Sequence, residues 1–248
     1  MTARGYKEPG ELPRRFYKAV DVVPAAGGFA VNLDGRTPKS PAGRPLVLPT
    51  QPLAALVAAE WAGQGEHIAM AGMAATRLAW TAIDRVAEAH TEVAAEVARY
   101  AGSDLTCYLA EQPAKLVERQ ARLWTPLRDW ARDELEVELH PVAGVIHQPQ
   151  PLASLLRAEK LAEALDDFTL TGLAHATALF GSAVLAFALQ RGRLSGGEAF
   201  ALSRLDEAFQ EEQWGVDAEA AERTQTLVAE AVMLERWFAA LVTGPSRD

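Results

Sequence analysis

A chain of 248 residues, 49% of them hydrophobic, has enough apolar material for one large core or two smaller ones, which excludes disorder as its resting state. Its 33 Asp and Glu against 24 Lys and Arg leave a net charge of −9, the wrong balance for coating phosphate backbones, although Arg14 and Arg15 form a small basic patch. One cysteine, Cys107, excludes an internal disulfide and any Cys-rich zinc or iron–sulfur site, and it fits a reducing compartment.

The first twenty residues contain no apolar stretch of signal-peptide length, and their glutamates and prolines spoil an Arg-rich amphipathic leader, so a cytoplasmic protein is expected. Strand signals fill residues 16–48. An early candidate runs over 16–23; Phe29, Val31 and Leu33 then alternate with Ala30 and Asn32 up to Asp34-Gly35, a dipeptide suited to a tight hairpin turn, and Leu46-Val47-Leu48 follows. A small sheet of three to five strands is expected. Helical spacing begins at Pro52, with Leu53, Leu56, Val57, Glu60 and Trp61 at threes and fours, and this helix should cover one face of the sheet.

Gly63, Gly65 and Gly72 punctuate the chain, and beyond them nearly everything is helix-compatible. The expectation is an α+β protein, with a small mixed α/β domain over 1–72 and an all-helical bundle over 73–248. The predicted helices of the second part span 76–100, 113–135 with a bend at Pro126, 152–166, 170–190, 196–212 and 218–241. Ser195 followed by Glu198 has capping-box spacing. Residues 168–189 carry no formal charge over a length that could span a bilayer. Six alanines, two glycines, three threonines, a serine and His175 lie in that run, and these residues gain little from lipid, so a buried helix is the expectation and a membrane-associated factor the alternative. Within it Ala174, Ala178, Ser182 and Ala186 recur every four residues, a smooth stripe for close helix packing in a central helix.

Chemistry-bearing motifs are sparse. The sequence holds no phosphate-binding glycine loop, no dinucleotide fingerprint and no Gly-x-Ser-x-Gly elbow. The histidines at 67, 90, 140, 147 and 175 lack metal-ligand spacing, so no metal or cofactor is expected. Cys107 reads as a buried, inert thiol, and Asp166-Asp167 as the start of a helix. The remaining candidate is the segment 203–215. Leu202, Leu205 and Phe209 should face the core, which turns Glu207, Gln210, Glu211 and Trp214 to another side. Glu207 and Glu211 form a like-charge i, i+4 pair that Arg204 partly offsets. That face is either a solvated surface or a binding surface for a basic partner.

An ordered series of motifs adds to this reading: Arg15-Phe-Tyr-Lys18; Gly28-Phe-Ala-Val-Asn-Leu-Asp-Gly-Arg-Thr-Pro-Lys39; Leu48-Pro-Thr50; Ala59-Glu-Trp61 with Gln64; Thr81-Ala-Ile-Asp84; Asp104-Leu-x-x-Tyr108; Trp124-x-Pro-Leu127; the neighbourhood of Gly144 and His147; and Leu205-Asp-Glu-x-Phe-Gln-x-x-x-Trp-Gly215. This series resembles the assembly chaperones of the F-type ATP synthase catalytic sector, a family of mitochondria and alphaproteobacteria. The resemblance implies an α/β domain followed by an all-helical one, a function without catalysis or cofactor, and a partner, the free α subunit, whose β-facing surface is shielded until assembly. No nucleic acid, no stable membrane insertion and a monomer are expected. The implied partner-binding residues are Asp206, Glu207, Gln210, Glu211 and Trp214, with Glu207 first because it precedes the Phe-Gln pair; Ala208 departs from the acidic pattern there. Glu60 and Trp61 also match, with Trp61 expected to be structural. A carboxylate-dependent enzyme using Asp166, Asp167 or Glu207 is the alternative function.

Overall fold

The computed structural model describes residues 12–144, 146–215 and 218–242, so residues 1–11 of the segment read above for a leader and the Val145 part of the Gly144 motif lie outside the described residues. Internal contacts divide the chain into two compact units, 1–80 and 81–248.

In the first unit, β1 (Val20–Ala25), β2 (Gly28–Leu33) and β3 (Val47–Leu48) form an antiparallel sheet in the order β1-β2-β3. Ala25 pairs with Gly28, so β1 and β2 are joined by a two-residue turn at Ala26-Gly27. The expected Asp34-Gly35 turn also forms. Leu33 and Arg36 exchange backbone hydrogen bonds of 2.9 and 3.0 Å across it, with both central residues in the left-handed region. The Asp34 carboxylate takes the Ala19 and Lys18 N–H groups, which hold its pKa below the ordinary value and tie the chain entering β1 to this turn.

Helix α1 (Gln51–Ala62) starts where the sequence places it. Thr50 caps it by accepting from the Leu53 N–H at 3.2 Å. Leu53, Ala54, Val57, Ala58 and Trp61 are buried, and α1 packs against all three strands. The small basic patch is absorbed locally: Arg14 pairs with Glu66 at 3.0 Å, and Arg15 donates to the carbonyls of Tyr17, Ala62 and Gln64.

From Ala74 onward the chain is mainly helical, and several predicted helices are divided. The expected helix over 76–100 is α2 (Ala74–Thr81), a π-helical turn (Ala82–Val86) and α3 (His90–Gly102). Then come α4 (Ala114–Leu135), α5 (Leu152–Glu163), α6 (Asp167–Phe180), α7 (Ala183–Gln190), α8 (Gly196–Ser203), α9 (Leu205–Trp214) and α10 (Ala218–Leu241). A short parallel ladder, β4 (Tyr108–Leu109) with β5 (Val142–Ala143), is the part that periodicity does not reveal. Each of its strands has two residues, too few to show an alternation.

The uncharged run 168–189 is two helices. Gly181 adopts φ +63° and ends α6, and Ser182 then caps α7 by accepting from the Leu185 N–H at 3.0 Å. No described helix is long and apolar enough to cross a membrane. The four-residue stripe therefore does not exist as one face: Ala178 is exposed, Ala174 is half-buried, and Ser182 is a cap. What is central is α7. Its residues Ala183 to Leu189 are all at most 2% exposed, and it touches α3, α4, α6, α8 and α10. A helix apolar all round has to be enclosed in this way.

Candidate partner-binding surface

The segment that holds the candidate helix is fixed first by a buried carboxylate. Asp104, fully buried, accepts from the Thr106 N–H (3.0 Å) and hydroxyl (2.8 Å), the Ser182 hydroxyl (2.8 Å) and the Val184 N–H (3.0 Å). Burial pushes its pKa up, and these four donors oppose that. Arg128 adds a bond to the Thr106 carbonyl and another, of 3.1 Å, to the Thr125 hydroxyl. The Asp-Leu-x-x-Tyr motif is thus an anchor that ties residues 104–106 to the start of α7. Next to it, Leu105, Leu109 and Ala110 pack on a cluster of Leu116, Trp124, Leu205 and Phe209.

That cluster seats α9 on α4. Leu205 and Phe209 are 4% and 8% exposed, and the Trp124 indole N–H donates to the Leu202 carbonyl at 3.0 Å. Asp206 and Glu207 both lie in the first turn of α9, where carboxylates favour the helix dipole, but they point different ways. Asp206 turns inward. Its Oδ1 accepts from Nε2 of the buried Gln120 at 2.7 Å, and the Gln120 Oε1 accepts from the Ala110 N–H at 2.7 Å. Burial raises the Asp206 pKa, the Gln120 bond works against that, and neighbouring Glu207 adds to the rise. Glu207 turns outward, paired with Arg204 at 2.8 Å and half-exposed.

Gln210 is exposed, Glu211 half-buried, and Trp214 is 81% exposed. Spacing puts Glu207, Glu211 and Trp214 along one stripe of the helix. The structure therefore brings four of the five expected residues to the outer side, and places Asp206 half-buried against α4. Sequence reasoning missed a further pair: Arg119 on α4 grips Glu212 with two hydrogen bonds of 2.8 Å and lies 5.2 Å above the Phe209 ring. The pairing holds the Glu212 carboxyl below its ordinary value. The two residues are 93 positions apart, so no local pattern could have linked them.

The other candidates have structural partners. Asp166 caps α6 by accepting from the Phe168 and Thr169 N–H groups, and Asp167 meets His90 Nδ1 at 2.7 Å. Cys107 is buried and its thiol is pushed up to about 12, chiefly by burial and then by the Asp104 charge. Glu60 accepts from the Ala75 and Thr76 N–H groups and the Thr76 hydroxyl, so it caps α2, while Trp61 lies in the core and its carbonyl accepts from the Tyr17 hydroxyl at 2.6 Å. No group of three or more His, Cys, Asp or Glu fit for a metal ion occurs among the described residues.

The outward face of α9 thus carries carboxylates, an amide and a solvent-exposed tryptophan on a packed base. Comparison with known proteins gives the family. Residues 14–132 match the family model of the ATP12 chaperone protein. Atp12 from Paracoccus denitrificans has a solved structure that is 41% identical, with TM-score 0.86 over 93% of this chain and 99% of that one. The Atu1473 protein from Agrobacterium tumefaciens is 39% identical, with TM-score 0.87 over 93% of this chain and 87% of that one. Protein atp12, mitochondrial, of Schizosaccharomyces pombe is 27% identical over 82% of this chain and 74% of that one. The chain belongs to the ATP12 chaperone family, the ATP synthase assembly chaperones that its motifs resemble.

Proposed function

We propose that this protein holds the free α subunit of the ATP synthase catalytic sector through the outer face of α9, shielding the β-facing surface until assembly. The observation that supports it best is the division of labour on α9. Leu205, Phe209 and Asp206 fix the helix, which leaves Glu207, Gln210, Glu211 and Trp214 turned outward toward a partner. A subunit awaiting its neighbour exposes apolar interface that aggregates or pairs wrongly, and a temporary cover prevents this without bond chemistry. The cover must leave, so a contact of modest affinity fits the task. The carboxylates weighed for catalysis favour this reading over an enzyme: Asp166 caps a helix, Asp167 binds His90, and Glu207 pairs with Arg204 on an exposed helix. Work in a reducing cytoplasm fits the lone buried thiol.

The test is capture. The purified chain should retain isolated α subunit from a mixture and should recover neither β alone nor the assembled sector. Recovery of no α, or only of assembled enzyme, overturns the reading.

A further inference from the structure

Beside the acidic stripe, α4 on one side and α8 with α9 on the other enclose a groove of about 510 Å³, within the size range of pockets that seat ligands. Leu123, Leu194, Leu202 and Ala208 make much of its lining apolar, and Leu123 is 36% exposed. Three charged side chains border it: Arg119, Arg122 and Glu198. Two are committed. Arg119 is forked onto Glu212, and Glu198 accepts from the N–H and hydroxyl of Ser195 in the capping box. Arg122 is one turn beyond Arg119 on α4, exposed, and without a hydrogen bond or ion pair among the described residues. Among the described residues, the groove is therefore apolar with one uncommitted cation.

We propose that this groove seats an amphipathic helix of the α subunit, which lays apolar side chains on the leucines and directs a carboxylate to Arg122. This rests on the α-subunit reading above and names the part of that partner it takes. Charge complementarity selects the occupant, because among the described residues that line the groove Arg122 is the charge left unanswered, and it calls for an acid. Continuity along α9 supports it too. Ala208 lines the groove one residue after Glu207, about 100° round the helix, so one docked segment can meet both the groove and the stripe. A second copy of this chain fits worse, since each copy carries a net charge of −9 and a two-fold contact here would bring two acidic stripes toward each other.

The test measures affinity of the full chain for isolated α subunit by calorimetry, with thermal melts as the check on folding. Ala201 is an exposed lining residue, so Ala201→Trp fills the groove from its rim, and Arg122→Glu reverses the free charge. Each should weaken binding about tenfold or more with the melting temperature unchanged. If Ala201→Trp disturbs folding, Arg122→Glu decides alone. Glu207→Lys is the companion variant: if it weakens binding while both groove variants bind like the parent, the groove inference falls and the α-subunit reading stands. If the parent chain fails to bind α at all, both fall. A concentration-dependent dimer that Ala201→Trp dissociates overturns the groove as a partner site.

Discussion

Adjacent carboxylates on α9 should respond in opposite ways to the same substitution. Glu207 is half-exposed and paired with Arg204 one turn back, so Glu207→Lys removes a screened surface pair and a favourable charge at the helix N-terminus and sets a lysine against Arg204. These effects sum to about 1 kcal/mol, a fall in melting temperature of about 2–4 °C for a unit of this size. Asp206→Lys is different in kind. It leaves the amide N–H of fully buried Gln120 without its acceptor and places an ammonium group beside it. The unmet donor and the desolvated charge together cost about 3 kcal/mol or more, roughly 6–12 °C. Asp206→Asn keeps an oxygen for Gln120 and removes the charge that burial and Glu207 both disfavour, so it should stay within about 0.5 kcal/mol of the parent. Thermal denaturation of the three variants, beside α-subunit capture, gives the answer: Glu207→Lys should lose capture and keep most of its stability, and Asp206→Lys should lose much more stability. A Glu207→Lys protein destabilised as much as Asp206→Lys would refute the assignment of outward and inward roles.

Three further outcomes follow from buried or bridging groups. His90 contacts the Asp167 carboxylate through Nδ1 and the Glu163 carbonyl at 3.0 Å through Nε2; burial lowers its pKa, but the bonds to Asp167 and Glu163 outweigh this and raise it above 6.5. The folded state thus binds the proton more tightly than the unfolded one, and the stabilisation is complete below about pH 6.5 and lost as pH rises through the folded-state value; urea titrations across that window should show a steeper loss for the parent than for His90→Gln, and equal slopes would refute the link. Asp104→Ala leaves four donors facing a buried site without an acceptor and should cost about 3–5 kcal/mol in urea unfolding, whereas a loss under 1 kcal/mol would show that water replaces the carboxylate. Cys107 should stay unreactive toward a thiol reagent at pH 8 in the folded protein and react at once in denaturant, given a thiol pushed up to about 12.

How far the sequence reaches is clearest where it stops. Local signals with their own chemistry were legible: the Asp34-Gly35 turn, the start of α1 at Pro52, the capping box at Ser195 and Glu198, and the helix start at Asp166. Each depends on residues within a few positions. Long apolar patterns were legible as helix but not as separate helices, because hydrophobic spacing continues across a break that one residue makes. Gly181 ends α6 within an unbroken apolar run, and the chain turns so that α7 can be enclosed.

For the candidate surface, the sequence by itself determined an acidic helical segment with Leu205 and Phe209 facing inward, and an ordered motif series that placed the chain in its family. Only the tertiary structure decided that Asp206 is a structural hydrogen-bond partner of Gln120, that Arg119 answers Glu212, and that Arg122 is left over beside an apolar groove. The physical reason is range. Caps, turns and helical spacing are set by covalent neighbours, whereas the partner of a charged side chain is chosen by packing between segments 86 or 93 residues apart, and that packing exists only once the core has closed.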